Sequence, residues 1–284
     1  MDLDRRAFLV ASAALTVAPP AFAASDPFAA LEAAHGGRLG VAAVDVATGK
    51  GLAHRANERF PMCSTFKLLV AGAILKNVDV GSENLDRFVG FGPADLIAHS
   101  PIATARVKVN GMTVKDLCEA AIEYGDNTSA NLLLTALGGP AAATAFVRSL
   151  GDQVTRIDRT EPTANTCIPG DPRDTTTPAA MLADLRALID SGLLSEASQD
   201  FLTGCLQNCQ TAAARIPAGL PRGWSSGDKT GSGDNGTAND VAVIYPPHRP
   251  PIYVAAYYTG SKATDDEQDA MLAEVGRIVA ATFV

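Results

Sequence analysis

Histidine is scarce in this chain of 284 residues, basic charge is outnumbered, and no long uncharged apolar run occurs. The four histidines stand at 35, 54, 99 and 248 with no H-x-H or H-x-x-x-H pair, so no zinc site is expected. Lys and Arg number 23 against 31 Asp and Glu, a formal net charge of -8. That balance argues against nucleic acid as a partner, because phosphate backbones are held by clustered cations. No charge-free apolar run of about 18 residues is present, so no mature membrane span is expected. A hydrophobic fraction of 47% with 19% charged residues is too apolar for a disordered chain. The length suits one large or two small domains with a core that needs no metal or disulfide staple.

Residues 1–23 read as an export signal. Arg5 and Arg6 precede an apolar stretch from Ala7 to Ala18, and Ala21-Phe22-Ala23 offers a small-x-small cleavage pattern. The stretch is too short to span a bilayer. Its local text, Asp4-Arg5-Arg6-Ala7-Phe8-Leu9-Val10, resembles a twin-arginine signal, which carries folded cargo across the bacterial inner membrane. A periplasmic or secreted, monomeric protein without a lipid anchor is the expectation, since no Cys follows the cleavage pattern. The cysteines, Cys63, Cys118, Cys167, Cys205 and Cys209, are odd in number, which leaves at least one free. Cys205 and Cys209 fall four apart in a predicted helix, poorly placed for a disulfide, and most of the five read as small buried hydrophobes.

Asp26 is placed to cap a short helix that Gly36-Gly37 ends. Leu39 to Val46, Thr48-Gly49-Lys50-Gly51 and a second short strand read as a hairpin. From Ser64 the pattern turns helical, and further helices are expected near 113–123, 127–137, 140–149, 177–190 and 195–209. Residues 157–176 are polar and rich in Pro, Thr and Asp, and a loop that long in a compact domain is usually functional. Strands are expected over Trp224 to Thr230, Asp240 to Tyr245 and Ile252 to Thr259, and Asp265 to Val284 closes as an amphipathic helix. The fold class is therefore α/β of the α+β type, an antiparallel sheet built from both chain ends with flanking helices and an inserted all-α domain. On this reading 24–60 joins 215–284 in the sheet domain, and 61–214 forms the helical one with its Ω-type loop.

Three short motifs carry chemistry. Ser64-Thr65-Phe66-Lys67 sets a hydroxyl and an amine one helical turn apart, so that Lys67 can hold the Ser64 proton. A second copy, Ser226-Gly227-Asp228-Lys229, lies in a predicted strand, where the geometry fails. Lys229-Thr230-Gly231 ends that strand and offers a cation to a carboxylate, with Gly231 allowing close approach. In the long loop Glu161 could activate a water that Asn165 holds, and Arg159 could pin the loop's neck to Asp174. Each motif alone also fits a helix start, a solvated strand end or a polar surface loop.

Their order, S-x-x-K, Y-G-D-N at 124–127, E-x-x-x-N and K-T-G, resembles the class A serine β-lactamases from about Phe28 to Val284. Longer pieces agree, among them Asp126 to Leu134, Ile168 to Thr176 and Gly227 to Gly233. The resemblance implies that Ser64 attacks the lactam carbonyl and that Lys67 is its proton partner. Glu161 would deacylate through a water shared with Asn165, while the acylation base is disputed between lysine and glutamate. The backbone N–H groups of Ser64 and Ser232 would form the oxyanion hole. Asn127 would bind the substrate's acylamino side chain, and Lys229, Thr230, Gly231 and Ser232 its carboxylate, with Asp126 structural. The family's frequent arginine on the next strand is Ala238 here, and Arg215 could reach the same spot from the other side. His99 lies where an aromatic residue usually gates the mouth. Cys63 matches a cysteine that some carbapenem-hydrolysing members bridge to the position of Gly233, so that bridge cannot form. Neither a cofactor nor a metal is implied.

One departure stands out. Where the family writes S-D-N, this chain has Gly125-Asp126-Asn127. The missing hydroxyl relays a proton to the lactam nitrogen in relatives and is the group that clavulanate-type inhibitors capture. General acid assistance of this kind is worth roughly 10²–10⁴-fold, and water could stand in at Gly125. Slower acylation follows, and with it two competing readings: a binder that acylates slowly and traps β-lactams, or a D-alanyl-D-alanine carboxypeptidase, which shares S-x-x-K and K-T-G but lacks the glutamate loop.

Overall fold

The computed structural model describes residues 26–283, so the export segment lies outside the described residues. Helix α1 (Ala29–His35) leads into the hairpin of β1 (Arg38–Asp45) and β2 (Gly51–His54). After the two-residue β3 (Phe60–Pro61) come α2 (Phe66–Asp79), β4 (Phe88–Gly90), α3 (Pro101–Arg106) and β5 (Gly111–Thr113). Four helices and one short strand follow: α4 (Val114–Glu123), α5 (Asn127–Leu137), α6 (Pro140–Ser149), β6 (Thr175–Thr176) and α7 (Pro178–Ile189). Helix α8 (Glu196–Gln207), strands β7 (Ser225–Gly233), β8 (Thr237–Tyr245) and β9 (Ile252–Thr259), and α9 (Asp265–Phe283) complete the order.

The main sheet runs β2-β1-β9-β8-β7, antiparallel throughout. Strand β1 pairs with β9 in the register Leu39↔Tyr258 and Val41↔Ala256, which knits the two ends of the chain together as expected. Alternation assigns each face its own core. Leu39, Val41, Val254 and Tyr258 pack with Met271, Leu272, Val275 and Val279 of α9. Val243, Ala255 and Tyr257 face the other way, into a larger cluster with Phe66, Leu69 and Leu185. The α/β fold class expected from the sequence is the one observed.

Helix α2 is buried from Phe66 to Leu75 on every side, which is why its sequence shows a run of apolar residues rather than a stripe. The helices around it start on side-chain caps. Thr113 and Asp116 form a capping box on α4, Asp126 caps α5, Thr177 caps α7 and Ser195 caps α8.

Four expectations need correction. Asp26 does not cap α1 in the ordinary sense; its Oδ1 accepts from Phe28 N at 3.0 Å, and its Oδ2 meets His54 Nδ1 at 2.5 Å. Strand β7 does not end at Thr230. It continues to Gly233, paired with Thr237 across a tight Asp-Asn-Gly turn in which Asn235 and Gly236 take left-handed φ of 56° and 55°. Lys229-Thr230-Gly231 is thus interior to a strand. Helix α8 stops at Gln207, so Cys209 lies beyond it and is not a helical neighbour of Cys205. The loop 157–176 is not wholly irregular, for Thr175–Thr176 pair with Phe60–Pro61.

Candidate active site

Ser64 sits in the single helical turn Cys63–Thr65 between β3 and α2. Cys63, immediately before it, holds φ of 47°, a left-handed conformation that costs a non-glycine residue energy and is found at functional turns. Three residues brace the turn around it. Asn239, fully buried on β8, donates from Nδ2 to Pro61 O and Met62 O at 2.9 and 3.0 Å. Thr65 Oγ1 bonds Met62 O and the Tyr257 hydroxyl. Gly231 brings β7 so close that a Cβ there would meet Met62 O at 2.8 Å and Ser64 N at 3.2 Å. This close approach, inferred from the sequence for Gly231, is made to the turn that carries Ser64.

Lys67 follows one turn later and has no solvent exposure. Its Nζ donates to Gly125 O at 2.7 Å and Asn127 Oδ1 at 2.6 Å, and lies 3.1 Å from Glu161 Oε1. Burial pulls the Lys67 pKa below the usual lysine range, opposed by the Glu161 charge. The same Glu161 oxygen accepts from Ser64 Oγ at 3.2 Å, and Glu161 Oε2 accepts from Asn165 Nδ2 at 2.5 Å. Among the described residues no hydrogen bond joins Ser64 Oγ to Lys67. The serine hydroxyl is turned to the glutamate.

The loop that delivers Glu161 is held at three places. Arg159 Nε meets Asp174 Oδ2 at 2.5 Å, while Asp174 Oδ1 accepts from the backbone N–H groups of Asp158 and Arg159. Asp174 O accepts from Met62 N, which ties the neck to the turn that carries Ser64. Asn131 on α5 grips Glu161 itself: Nδ2 donates to Glu161 O and Oδ1 accepts from Glu161 N, both at 2.9 Å. Asp126, fully buried, accepts from Ser129 N, Ile102 N and Ala103 N, a structural acceptor as the sequence suggested.

Strand β7 forms the facing wall. Lys229 is fully buried, its Nζ donating to Thr230 O at 2.9 Å, and its pKa is pushed down to about 8 by burial first and by the Lys67 charge second. Thr230 Oγ1 contacts Thr211 Oγ1 at 2.5 Å. Arg215 does arrive from the far side, giving Nη2 to Ser232 Oγ at 2.7 Å and Nη1 to Gly231 O and Asn239 O. Its Nε pairs with Asp269 of α9 at 2.7 Å. Ala238 lies opposite Ser232 in the ladder, and both line a cavity of about 360 Å³ with Arg215, Gly233 and Asp269. His99 stands apart: exposed, with φ of 57°, it joins the cluster only through its carbonyl, which accepts from Asn127 N.

The sequence model of the "Beta-lactamase enzyme family" matches residues 23–283. The solved structure of an ancestral (GNCA) class A β-lactamase superposes with a TM-score of 0.89 at 57% identity, covering 90% of this chain and 98% of that one. The chain belongs to the class A β-lactamases. Among curated members of this family it is 50% identical over 258 residues to β-lactamase AST-1 of Nocardia asteroides, spanning 90% of this chain and 83% of the relative. It is 48% identical over 252 residues to β-lactamase CTX-M-8 of Citrobacter amalonaticus, spanning 88% and 86%. The putative class A β-lactamase PenP of Rhodopseudomonas palustris superposes with a TM-score of 0.87 at 52% identity, covering 89% and 97%.

Asn131, Asn239 and Thr211 shape this β-lactamase site although no motif singled them out. Asn131 had a signal, because it lies one helical turn after Asn127 and so on the same face of α5. Replacing Asn131 by Ala strands the Glu161 N–H and C=O without their partner. We expect a loss of about 2 kcal/mol and a Tm lower by about 5 °C. An unchanged Tm in a calorimetric scan would show that the Asn131 clamp is not needed.

Proposed function

We propose that this enzyme hydrolyses the β-lactam amide bond through an acyl-enzyme on Ser64, deacylated by a water that Glu161 activates. Family membership supports β-lactam hydrolysis, and hence antibiotic resistance. The finer reading is carried by one observation: Glu161 Oε1 lies 3.2 Å from Ser64 Oγ and 3.1 Å from Lys67 Nζ, with Asn165 on its other oxygen. In this reading Ser64 Oγ attacks the lactam carbonyl and its proton leaves toward Glu161 or Lys67. The developing oxyanion takes the backbone N–H groups of Ser64 and Ser232. Opening of the strained ring breaks the C–N bond, the nitrogen takes up the Ser64 proton, and an ester remains on Ser64. Glu161 then takes a proton from a water that attacks that ester, the acyl C–Oγ bond breaks, and Ser64 Oγ takes that proton back as the opened product leaves. Asn165 suits this step because its Oδ1 has no hydrogen-bond partner among the described residues and can accept from a water.

Lys229, Thr230, Gly231, Ser232 and Arg215 take the substrate carboxylate in the same proposal, and Asn127 its acylamino group. His99 at the rim is offered as a contact for the outer part of the substrate. Export is included too: the Arg5-Arg6 leader of residues 1–23 would carry a monomer to the periplasm without an anchor. The slow-trap reading keeps one specific support, the absence of a hydroxyl at Gly125. A chromogenic cephalosporin separates the two, since continuous turnover means hydrolysis and a single stoichiometric burst means a trap. D-alanine release from a peptide would instead mean a carboxypeptidase.

Glu161→Gln removes the proton acceptor for deacylation and leaves Lys67 in place. Intact mass after mixing with a penicillin should show a lasting adduct, mapped to Ser64. Unmodified protein with wild-type turnover would remove Glu161 from the mechanism.

Lys229 attracts a carboxylate only while protonated, and its pKa of about 8 sets the sign of a pH effect. As pH rises through that value the cation is lost, together with a charge-assisted bond worth about 1.5–3 kcal/mol. For a penicillin kcat/KM should therefore fall above about pH 8, through a rising KM. A flat profile to alkaline pH means that Arg215 alone suffices.

Gly125 lies between the two lysines. Its carbonyl accepts from Lys67, and a Cβ built on it would stand 4.0 Å from Lys229 Nζ with nothing closer. A serine there has space but must adopt φ of 68°, at roughly 1 kcal/mol. Against that cost a restored relay is worth at least about 10²-fold. Gly125→Ser should raise kcat/KM for a penicillin about tenfold and increase irreversible inhibition by clavulanate. If neither quantity moves, another group already supplies the proton to the lactam nitrogen.

A further inference from the structure

Cys63 and Cys167 lie 104 positions apart in the chain, yet their sulfurs approach to 3.2 Å. One precedes Ser64, and the other follows Asn165 by two residues in the Glu161 loop. Gly233 explains why this pair meets. A Cβ at that position would fall 2.7 Å from each sulfur and 2.6 Å from Asn165 O, so the bare backbone of β7 leaves the space that both thiols occupy. The position of Gly233 therefore does more than deny Cys63 one partner. It admits another.

We propose that Cys63 and Cys167 form a redox-sensitive pair that closes to a disulfide with a small disulfide oxidant, cross-linking the nucleophile turn to the Glu161 loop. The two sulfurs differ in access. Cys63 has no exposure, whereas Cys167 is 5% exposed and lines a cavity of about 430 Å³ with Arg38, Arg59, Arg159 and Ile168. They also differ in acidity, because the Cys63 thiol donates to Cys167 and lowers its pKa while its own is raised. Cys167 is thus the sulfur that reacts first. Its thiolate attacks the incoming disulfide R–S–S–R, forming a mixed disulfide and releasing one R–S⁻, which takes up a proton. Cys63 then gives up its proton, attacks Cys167 Sγ and expels the second R–S⁻, which is protonated in turn. The protein loses two hydrogens and two electrons, and the oxidant leaves as two thiols. Contraction from 3.2 Å to a bond needs a shift of about 1 Å, given a disulfide length of about 2.05 Å.

A link spanning a loop of that length restricts the unfolded chain strongly. The reduced and oxidised forms should therefore differ first in stability and in the freedom of the Glu161 loop. The test is independent of β-lactam turnover, so its failure and failure of the acyl-enzyme reading are distinguishable.

Full-length mature protein is incubated with oxidised glutathione, and thiols are counted after denaturation. We expect two of the five to be lost, a mass lower by two hydrogens, a peptide linking Cys63 to Cys167, and a Tm higher by roughly 5–10 °C that dithiothreitol reverses. Cys167→Ser should show the same thiol count before and after oxidant and no Tm shift, and Cys63→Ala serves as the second variant should the first fail to fold. Retention of all five thiols in the wild type, a lasting glutathione adduct on Cys167, or a link between any other pair overturns the proposal.

Discussion

A lysine ammonium sealed from water must find all of its compensation within the protein, and Lys67 is such a group. An uncompensated buried charge costs several kcal/mol or gives up its proton. Lys67 is compensated from three separate elements: Glu161 from the long loop, Asn127 from α5 and the Gly125 carbonyl from the link before it. Those elements are thereby brought to one point, and Ser64 on the preceding turn arrives with them. Ser64, the loop and the α4–α5 junction can hardly be moved independently.

The second buried cation, Lys229, extends this logic across the cleft. Burial lowers the proton affinity of both lysines, and for Lys229 the Lys67 charge lowers it further. Beneath it the sheet carries Asp228 and Asp240, both buried, with the Asp240 carboxyl raised to about 7 chiefly by its own desolvation. A cavity rich in cations is hospitable to an anion, and a β-lactam carboxylate is the anion the family would bring. The cost of assembling such charge is offset by a rigid frame: two hydrophobic cores on opposite faces of one sheet.

Most of the helices were legible because local signals end them. Gly138 after α5, Pro178 at the start of α7 and the cap Ser195 before α8 announce boundaries within one or two residues. Strand ends were harder. Thr237 and Ala238 join β8 only because Gly233 and Ser232 lie opposite, and pairing across a turn is not a property of either segment alone. The same contrast holds in the site. Ser64, Lys67, Glu161, Asn165 and Lys229 stood out because their motifs are compact. Asn239 and Cys167 did not, since their significance rests on Met62 O and on Cys63 Sγ, groups supplied by distant parts of the chain. His99 shows the opposite case, a residue placed at the mouth by its neighbours in sequence but tied to the cluster only by its backbone.

Arg215 has one more implication. A guanidinium carries five N–H protons. Here Asp269 takes one, Gly231 O and Asn239 O take two, and Ser232 Oγ takes a fourth. One proton is left to greet a guest. An arm so fully occupied cannot swing to follow ligands of different shape, so it acts as a fixed peg in the wall. Adjustment to ligands of different shape would then have to come from pieces with slack, such as the exposed rim around His99.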